Sequence, residues 1–211
     1  MGSVKAVLFD MDGVLIEAKD WHYEALNKAL GLFGLAISRH DHLVTYDGLP
    51  TREKLRILSQ EGDLPAGLHG AISNLKQRFT REMIFLYCRP VFHHQYALAR
   101  LKREGYRLAV CSNAIRATVD LMLEAAHLGE SLEFSLSNED VAAPKPDPEI
   151  YEIAIKRLDL SPDECLILED NEYGIEAARR SGAHVLEIET VRDMTYDNIA
   201  AAISTVDGGV S

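Results

Sequence analysis

Cysteine is scarce in this chain of 211 residues, and its three copies form no recognisable pair. The number is odd, and Cys88, Cys111 and Cys165 are spaced too widely for a C-x-x-C motif. Cys111 and Cys165 also fall within or beside apolar runs that are typical of strands. This usage favours small buried thiols in a reducing compartment over disulfides, so we expect a cytoplasmic protein.

Long apolar runs and an excess of positive charge are also missing. No run is long enough to span a bilayer, and the N-terminus lacks the basic-then-apolar pattern of a signal peptide. The net charge of −11 argues against nucleic acid or an anionic membrane as a partner. A phosphate-bearing ligand would therefore need a site made locally positive by a metal ion, a lysine or helix N-termini.

The residues that are present indicate an α/β fold. Hydrophobic residues make up 47% of the chain and charged residues 26%, the balance of an ordinary globular protein. Strand-like runs alternate with helical patterns, which predicts a parallel sheet covered on both faces. The predicted strands are Ala6–Phe9, Arg107–Cys111, Phe134–Ser137, Cys165–Leu168 and His184–Ile188, and helices are predicted at Ala114–His127, Glu149–Leu158 and Gly174–Arg180.

The segment between the first two predicted strands has a different pattern. It contains three amphipathic stretches and no convincing strand, which predicts an inserted α-helical cap domain. The amphipathic stretches are Trp21–Phe33, Arg52–Gln60 and Leu68–Tyr87. We expect a core formed by residues 1–17 and 90–211 and a cap formed by residues 18–89, and we expect the tail after Val206 to fray.

Two aspartates follow the first predicted strand. Asp10 and Asp12 are two residues apart, so both carboxylates can face one pocket where the strand ends, and Gly13 lets the chain turn. Phosphoryl transfer through an aspartate needs one ionised carboxylate for in-line attack and a second that donates and accepts protons. Asp10 suits the first role and Asp12 the second. The alternative is a turn that merely favours Asp and Gly.

Two further motifs supply polar or positive groups. Ser112 and Asn113 follow a predicted strand and precede a helix, a place that favours an anion, although Ser and Asn are also ordinary helix caps. Lys145 lies among three prolines that hold it on a stiff loop before a helix. A fixed cation there could neutralise phosphate and nucleophile during transfer, whereas the alternative is a solvated surface lysine.

Adjacent acids at the end of another predicted strand indicate a metal site. Glu169 and Asp170 would repel each other unless a cation neutralised them, and oxygen ligands near phosphate favour Mg²⁺. Asp10, Asp170 and the backbone carbonyl of Asp12 are the candidate ligands. Gly174, in the helix that follows, predicts close packing beside these acids.

These four motifs together resemble those of the haloacid dehalogenase-like hydrolase superfamily, in its phosphatase and phosphoglucomutase branch with a helical cap. The resemblance covers nearly the whole chain and implies a Rossmann-like core and Mg²⁺ dependence. A phosphonate-cleaving member would carry alanine where this chain has Asp12, so a phosphate ester is the expected substrate. The implied site residues are the nucleophile Asp10, the acid/base Asp12, the phosphate ligands Ser112 and Lys145, and the metal ligand Asp170 supported by Glu169.

The predicted cap resembles that of β-phosphoglucomutase in three places. His22 matches a histidine near the acid/base, and Lys76 resembles another cap cation. Arg52 lies in a segment that resembles the cap specificity loop. One extra residue separates the loop glycine from Arg52, which departs from the mutase pattern. With Asn113 these are the predicted substrate-binding residues, and the alternative is a set of solvated helix residues. The other histidines singled out, His40, His42, His93 and His94, are predicted to be surface or packing residues.

We therefore expect a Mg²⁺-dependent phosphatase that hydrolyses a small phosphorylated metabolite, such as a sugar phosphate or phosphoglycolate, through an aspartyl-phosphate. The alternative is a β-phosphoglucomutase-like phosphotransferase. A non-catalytic binding protein is disfavoured because both aspartates, the lysine and the metal acids are all present. No nucleic acid or membrane partner is expected, and the protein is expected to be a monomer or weak homodimer.

Overall fold

The computed structural model describes residues 3–62 and 64–208. In these ranges the strands are β1 (Ala6–Phe9), β2 (Arg107–Cys111), β3 (Phe134–Leu136), β4 (Cys165–Glu169) and β5 (His184–Glu187). The helices are α1 (Lys19–Gly31), α2 (Arg39–Asp41), α3 (Thr51–Gln60), α4 (His69–Tyr87), α5 (Phe92–Arg103), α6 (Arg116–Ala125), α7 (Glu149–Arg157), α8 (Glu172–Arg180) and α9 (Tyr196–Gly208). A π-helical turn at His42–Tyr46 follows α2.

The strands form one parallel sheet in the order β3-β2-β1-β4-β5. Every residue of β1 is buried, because helices cover both faces of the sheet. Val7 and Phe9 pack in a cluster with residues of α5, α6 and α9, while Ala6 and Leu8 point to the opposite face and pack with residues of α7 and α8. The α/β fold with a parallel sheet is confirmed.

The strand order brings the polar motifs to one edge of the sheet. After β1 the chain adds β2 and β3 on one side and then returns to add β4 and β5 on the other. In open α/β sheets, ligands bind at the carboxyl ends of the strands where the order reverses. Asp10, Ser112 and Asp170 follow β1, β2 and β4 directly, so all three stand at this edge.

Helices α1 to α4 enclose a hydrophobic cluster of their own. It contains Leu26 and Leu30 from α1, Leu55 from α3 and Ile72 from α4, each buried. The last turn of α4 belongs to another cluster, because Ile84 packs with Val7 and Phe9 of β1 and with residues of α5 and α6. The cap boundaries at residues 18 and 89 stay a prediction.

Several predicted boundaries are wrong by a few residues for local reasons. Helix α8 begins at Glu172, two residues earlier than predicted, because the Asn171 side chain accepts a hydrogen bond from the Gly174 N–H and caps the helix. Strand β3 ends at Leu136 rather than Ser137, whose N–H and hydroxyl donate to Asp140 Oδ2.

Two long helices, α5 and α9, are absent from the sequence prediction. Helix α9 continues through Gly208, so the expected fraying after Val206 is wrong for the described residues. Asp207 is held there by a 2.9 Å hydrogen bond from the Val4 N–H. Residues 209–211 lie outside the described ranges.

The cysteines and the helices bear on the expected lack of disulfides and membrane spans. All three cysteines are buried and free, as expected of small apolar thiols. Among the described residues, no helix is both long and apolar enough to cross a membrane. The cytoplasmic location stays a prediction.

Candidate active site

The turn after β1 places Asp10 at the bottom of a cavity. Asp10 is 5% exposed, and the following turn is closed by a 2.8 Å hydrogen bond from the Gly13 N–H to the Ile16 carbonyl. Gly13 has a φ of +91°, and a Cβ there would overlap the Asp170 carboxylate. Glycine is therefore required here by both backbone conformation and close approach.

Lys145 joins the ends of β1, β2 and β4. Its Nζ lies 2.6 Å from Asp10 Oδ1 and 2.6 Å from Glu169 Oε1, and it also donates to the Cys111 carbonyl at 2.8 Å. The Tyr151 hydroxyl donates a further hydrogen bond to Glu169 Oε1. Lys145 is 2% exposed, so the solvated surface lysine that was the alternative is wrong.

Burial and the neighbouring charges shift the pKa values of Asp10 and Lys145. Burial raises the pKa of Asp10 well above its ordinary value, Lys145 opposes that rise, and the neighbouring carboxylates add to it. Burial alone would lower the pKa of Lys145, but the Coulombic attraction of Asp10 and Glu169 raises it above its ordinary value. The two acids therefore favour the charged form of Lys145, whose ammonium faces Asp10 and Glu169, while the Lys19 ammonium lies beside Asp170.

The same three acids form a candidate metal site. One carboxylate oxygen from each of Asp10, Glu169 and Asp170 lies within 4.8 Å of the others. Asp170 Oδ2 is buried and accepts no hydrogen bond of good geometry from any described residue, although Lys19 Nζ lies 2.6 Å away. Burial raises the pKa of Asp170 to about 6, against the opposing effect of Lys19. Three carboxylates so close together, paired at Asp170 only with the Lys19 ammonium, are hard oxygen donors that fit Mg²⁺.

Glu169 is positioned by close packing against α8. A Cβ at Gly174 would overlap the Glu169 carboxylate, so the predicted close approach at this glycine is present. Glu169 Oε1 is held by Lys145 and Tyr151, and its Oε2 accepts a 3.3 Å hydrogen bond from the Asp170 N–H. These contacts fix the acid pair at the end of β4.

Asp12 lies in a different setting from Asp10. Its Oδ1 lies 3.2 Å from His22 Nε2, and His22 Nδ1 in turn lies 3.1 Å from Lys76 Nζ. Burial and Lys76 lower the pKa of His22. Burial alone would raise the pKa of Asp12, but the charge and hydrogen bonding of His22, with Lys76 and Lys145, lower it.

Ser112 and Asn113 lie beside the Lys145 loop. Ser112 is buried, and its Oγ accepts a 3.0 Å hydrogen bond from the Ala114 N–H. Asn113 Oδ1 accepts from the Lys145 N–H at 3.0 Å, and its Nδ2 donates to the carbonyls of Lys145 and Gly48. The Asn113 amide thus ties the Lys145 loop to the loop before α3.

Contacts between helices α1–α4 and the sheet side close over the cavity. Asn113 bonds to Gly48 at 3.1 Å, and the Thr118 hydroxyl lies 3.2 Å from Gln77 Oε1. The cavity is partly open to solvent, has a volume of about 190 Å³, and holds both aspartates and Lys145 at its base. His22, Arg52 and Lys76 line it, and Arg52 is exposed at its rim, while their binding of a substrate stays a prediction.

Several polar residues of the cavity were not predicted from the sequence as site residues. The charged or titratable ones among them are Lys19, His42, Asp47 and Lys54. Lys54 is four residues before Leu58 and next to Leu55 on α3, so it lies on the buried side of that helix. A lysine on an apolar helix face is the signal that could have identified it. His42 is 3% exposed, and neither ring nitrogen has a hydrogen-bond partner among the described residues.

The chain matches a known family over most of its length. Residues 7–188 match the family described as haloacid dehalogenase-like hydrolase. The chain belongs to this family. The predicted resemblance, and with it the Rossmann-like core, is confirmed.

Curated relatives within the family include phosphatases. A protein described as phosphorylated carbohydrates phosphatase, from Thermotoga maritima, is 28% identical over 85% of this chain and 82% of its own length. The protein CbbY from Rhodobacter capsulatus is 30% identical over 87% of this chain and 84% of its own length.

A solved structure agrees with the fold. The crystal structure of β-phosphoglucomutase from Clostridium difficile superimposes with a TM-score of 0.83, covering 97% of this chain and 99% of that one. The two sequences are 18% identical, so this likeness concerns the fold alone.

Proposed function

We propose that the protein is a Mg²⁺-dependent phosphatase that hydrolyses a small phosphorylated metabolite through an aspartyl-phosphate on Asp10. The observation that carries this proposal is the contrast between the two aspartates. Asp10 is fixed by Lys145 beside the acid cluster, whereas Asp12 faces the cavity and a histidine. Two carboxylates in different settings suit one nucleophile and one acid/base.

In the first step, an Asp10 carboxylate oxygen attacks phosphorus and the ester oxygen leaves. Lys145 and the Ser112 hydroxyl hold the phosphate, and Mg²⁺, when bound, would supply positive charge near the phosphate oxygens. The proposed ligands of this ion are Asp170, Asp10 and the backbone carbonyl of Asp12. Glu169 supports Asp170. A phosphate dianion beside Asp12 favours the protonated carboxyl, which then donates its proton to the leaving oxygen.

In the second step, Asp12 takes a proton from a water molecule that attacks the aspartyl-phosphate. This releases inorganic phosphate and restores the Asp10 carboxylate. His22, hydrogen-bonded to Asp12, orients the carboxyl for both transfers. The small cavity limits the water that reaches the intermediate.

The cavity and the relatives support a small substrate. A volume of about 190 Å³ is below the roughly 300–1,000 Å³ of ordinary ligand pockets, which favours a small ester over a phosphoprotein segment. The Thermotoga relative is named for phosphorylated carbohydrates, which favours a sugar phosphate here.

The test is phosphate release from a panel of phosphorylated metabolites with Mg²⁺, comparing wild type with Asp10→Asn. We expect release from one or a few esters by wild type and none by the variant. The panel includes β-glucose 1-phosphate, and those wells are also assayed for glucose 6-phosphate. Isomerisation without phosphate release would replace the phosphatase with the phosphotransferase, and equal release by Asp10→Asn would remove Asp10 as the nucleophile.

A further inference from the structure

A buried tyrosine that belongs to none of the four sequence motifs contacts the charged cluster. Tyr151 lies on α7 and is 0% exposed. Its hydroxyl donates a hydrogen bond to Glu169 Oε1, and the centre of its ring lies 4.8 Å from Lys145 Nζ. Burial raises the pKa of Tyr151 well above its ordinary value, so the hydroxyl keeps the proton that it donates.

The three hydrogens of the Lys145 ammonium are all engaged. They are donated to Asp10 Oδ1, to Glu169 Oε1 and to the Cys111 carbonyl. A lysine ammonium has three donors and no acceptor, so Lys145 has no hydrogen left for a further partner. A phosphate oxygen can therefore accept an unshared hydrogen bond from Lys145 only when one of these three partners is released.

Glu169 is the partner that Lys145 releases at the lowest cost. The Asp10 carboxylate accepts no other hydrogen bond from the described residues, so losing Lys145 would leave it without a donor. Glu169 Oε1 has a second donor in the Tyr151 hydroxyl, and Glu169 Oε2 accepts from the Asp170 N–H. A buried carboxylate oxygen without a donor is destabilising, and Tyr151 prevents that at Glu169.

We propose that Tyr151 is a positioning residue for phosphate binding, whose hydroxyl holds Glu169 while the Lys145 ammonium turns from Glu169 to the phosphate. This inference rests on the proposed phosphatase function, in which Lys145 holds the phosphate. Tyr151 is not among the residues that line the cavity, so it acts through its two neighbours and not by contact with the substrate.

Tyr151→Phe removes the hydroxyl and retains the ring beside Lys145. Glu169 Oε1 then depends on Lys145 alone, so the ammonium is held back from the phosphate. We expect inorganic phosphate to bind about tenfold more weakly, as measured from the melting temperature while phosphate is added with Mg²⁺ present. KM for a hydrolysed ester should rise by a similar factor while kcat changes less, because the weakened contact holds the phosphate in the bound ester as well as during transfer.

Tyr46→Phe is the matched control. Tyr46 is also a buried tyrosine, its hydroxyl donates to Glu61 Oε2 at 3.2 Å, and it does not line the cavity. Both variants lose a hydroxyl, but only Tyr151→Phe should weaken phosphate binding and raise KM. A lower melting temperature with unchanged phosphate affinity and KM in Tyr151→Phe would overturn this inference and leave the phosphatase intact. No hydrolysis of any ester by wild type with Mg²⁺ would instead overturn the proposed function.

A crystal structure of the wild type with Mg²⁺ and inorganic phosphate is a second measurement that needs no folded variant and no turnover. We expect Lys145 Nζ to lie nearer to a phosphate oxygen than to Glu169 Oε1, with the Tyr151 hydroxyl still donating to Glu169. Bound phosphate with the Lys145–Glu169 contact unchanged would contradict the exchange of partners. Release of Asp10 or of the Cys111 carbonyl in place of Glu169 would contradict the role of Tyr151.

Discussion

The ammonium of Lys145 lies 2.6 Å from Oδ1 of Asp10, although the two residues are 135 positions apart in the chain. The contact forms because β1 and β2 are neighbours and the loop of Lys145 folds back across their ends. Lys145 favours the ionised form of Asp10 in a place where burial disfavours it. This pairing opposes, without cancelling, the rise that burial causes in the pKa of Asp10.

Replacing Lys145 with methionine should strongly destabilise the protein. Asp10 and Glu169 would remain buried without their cation, and breaking a buried pair in this way costs about 3–5 kcal/mol. Chemical denaturation at pH 7 measures the change. Lys156→Met, on the exposed side of α7, serves as control and should change stability by less than about 0.5 kcal/mol. Equal effects of the two substitutions would show that the ion cluster does not stabilise the fold.

Gly174→Ala should destabilise the protein although it lies in a helix. Alanine normally stabilises a helix by roughly 0.5–1 kcal/mol relative to glycine. At Gly174 its methyl group would overlap the Glu169 carboxylate, and overpacking of this kind costs about 1–3 kcal/mol. Gly70→Ala, in the first turn of α4 with open space around it, is the matched control and should be neutral or stabilising. The same sign for both variants would contradict the close packing at Glu169.

Lys19→Met should strengthen Mg²⁺ binding. The Lys19 ammonium lies 2.6 Å from Asp170 Oδ2, so a metal ion at the acid cluster has to displace or repel it. We expect the Mg²⁺ concentration that gives half of the thermal stabilisation to fall several-fold, while Lys28→Met, at an exposed lysine of α1, leaves it unchanged. A higher requirement in Lys19→Met would mean that Lys19 assists the metal site.

The buried Lys54 gives stability a defined pH dependence. Burial lowers its pKa from 10.5 to about 8 against the opposing influence of Asp47 and Asp12. Between these values the unfolded chain binds a proton that the folded protein releases, so stability contributed at this site increases as the pH rises above about 8. Lys54→Met should be more stable than wild type at pH 7, by about 1–3 kcal/mol, and this advantage should shrink at higher pH. Chemical denaturation of both proteins at pH 7 and at a pH above 8 measures this advantage. The same stability difference at both pH values would show that Lys54 is not desolvated.

Much of the core was predictable because its signals are local. The apolar run of β1 and the acids after β1 and β4 required only the rule that parallel strands are buried and that their carboxyl ends meet. The exact ends of helices and strands were harder to predict, because the Asn171 cap of α8 and the Ser137–Asp140 contact after β3 depend on single side chains.

The cap side of the site was harder to predict. Lys54 and His42 have ordinary sequence surroundings, and their burial depends on how α3 and the π-helical turn pack around α1 and α4. Lys19 and Asp170 are far apart in the sequence, and they meet beside the turn at Gly13. A contact of this kind depends on the complete fold, so no local pattern in the sequence indicates it.

Acid-quench mass spectrometry of Asp12→Ala tests whether Asp10 carries the phosphoryl group. Acetyl phosphate has a leaving group that needs no protonation, so the first step proceeds in this variant while the water attack, which needs the Asp12 base, slows by about 10²-fold or more. We predict one phosphoryl group on the peptide that contains Asp10, and none when Asp10→Asn is added. Phosphate on another residue, or an unmodified chain during continued turnover, would contradict the account.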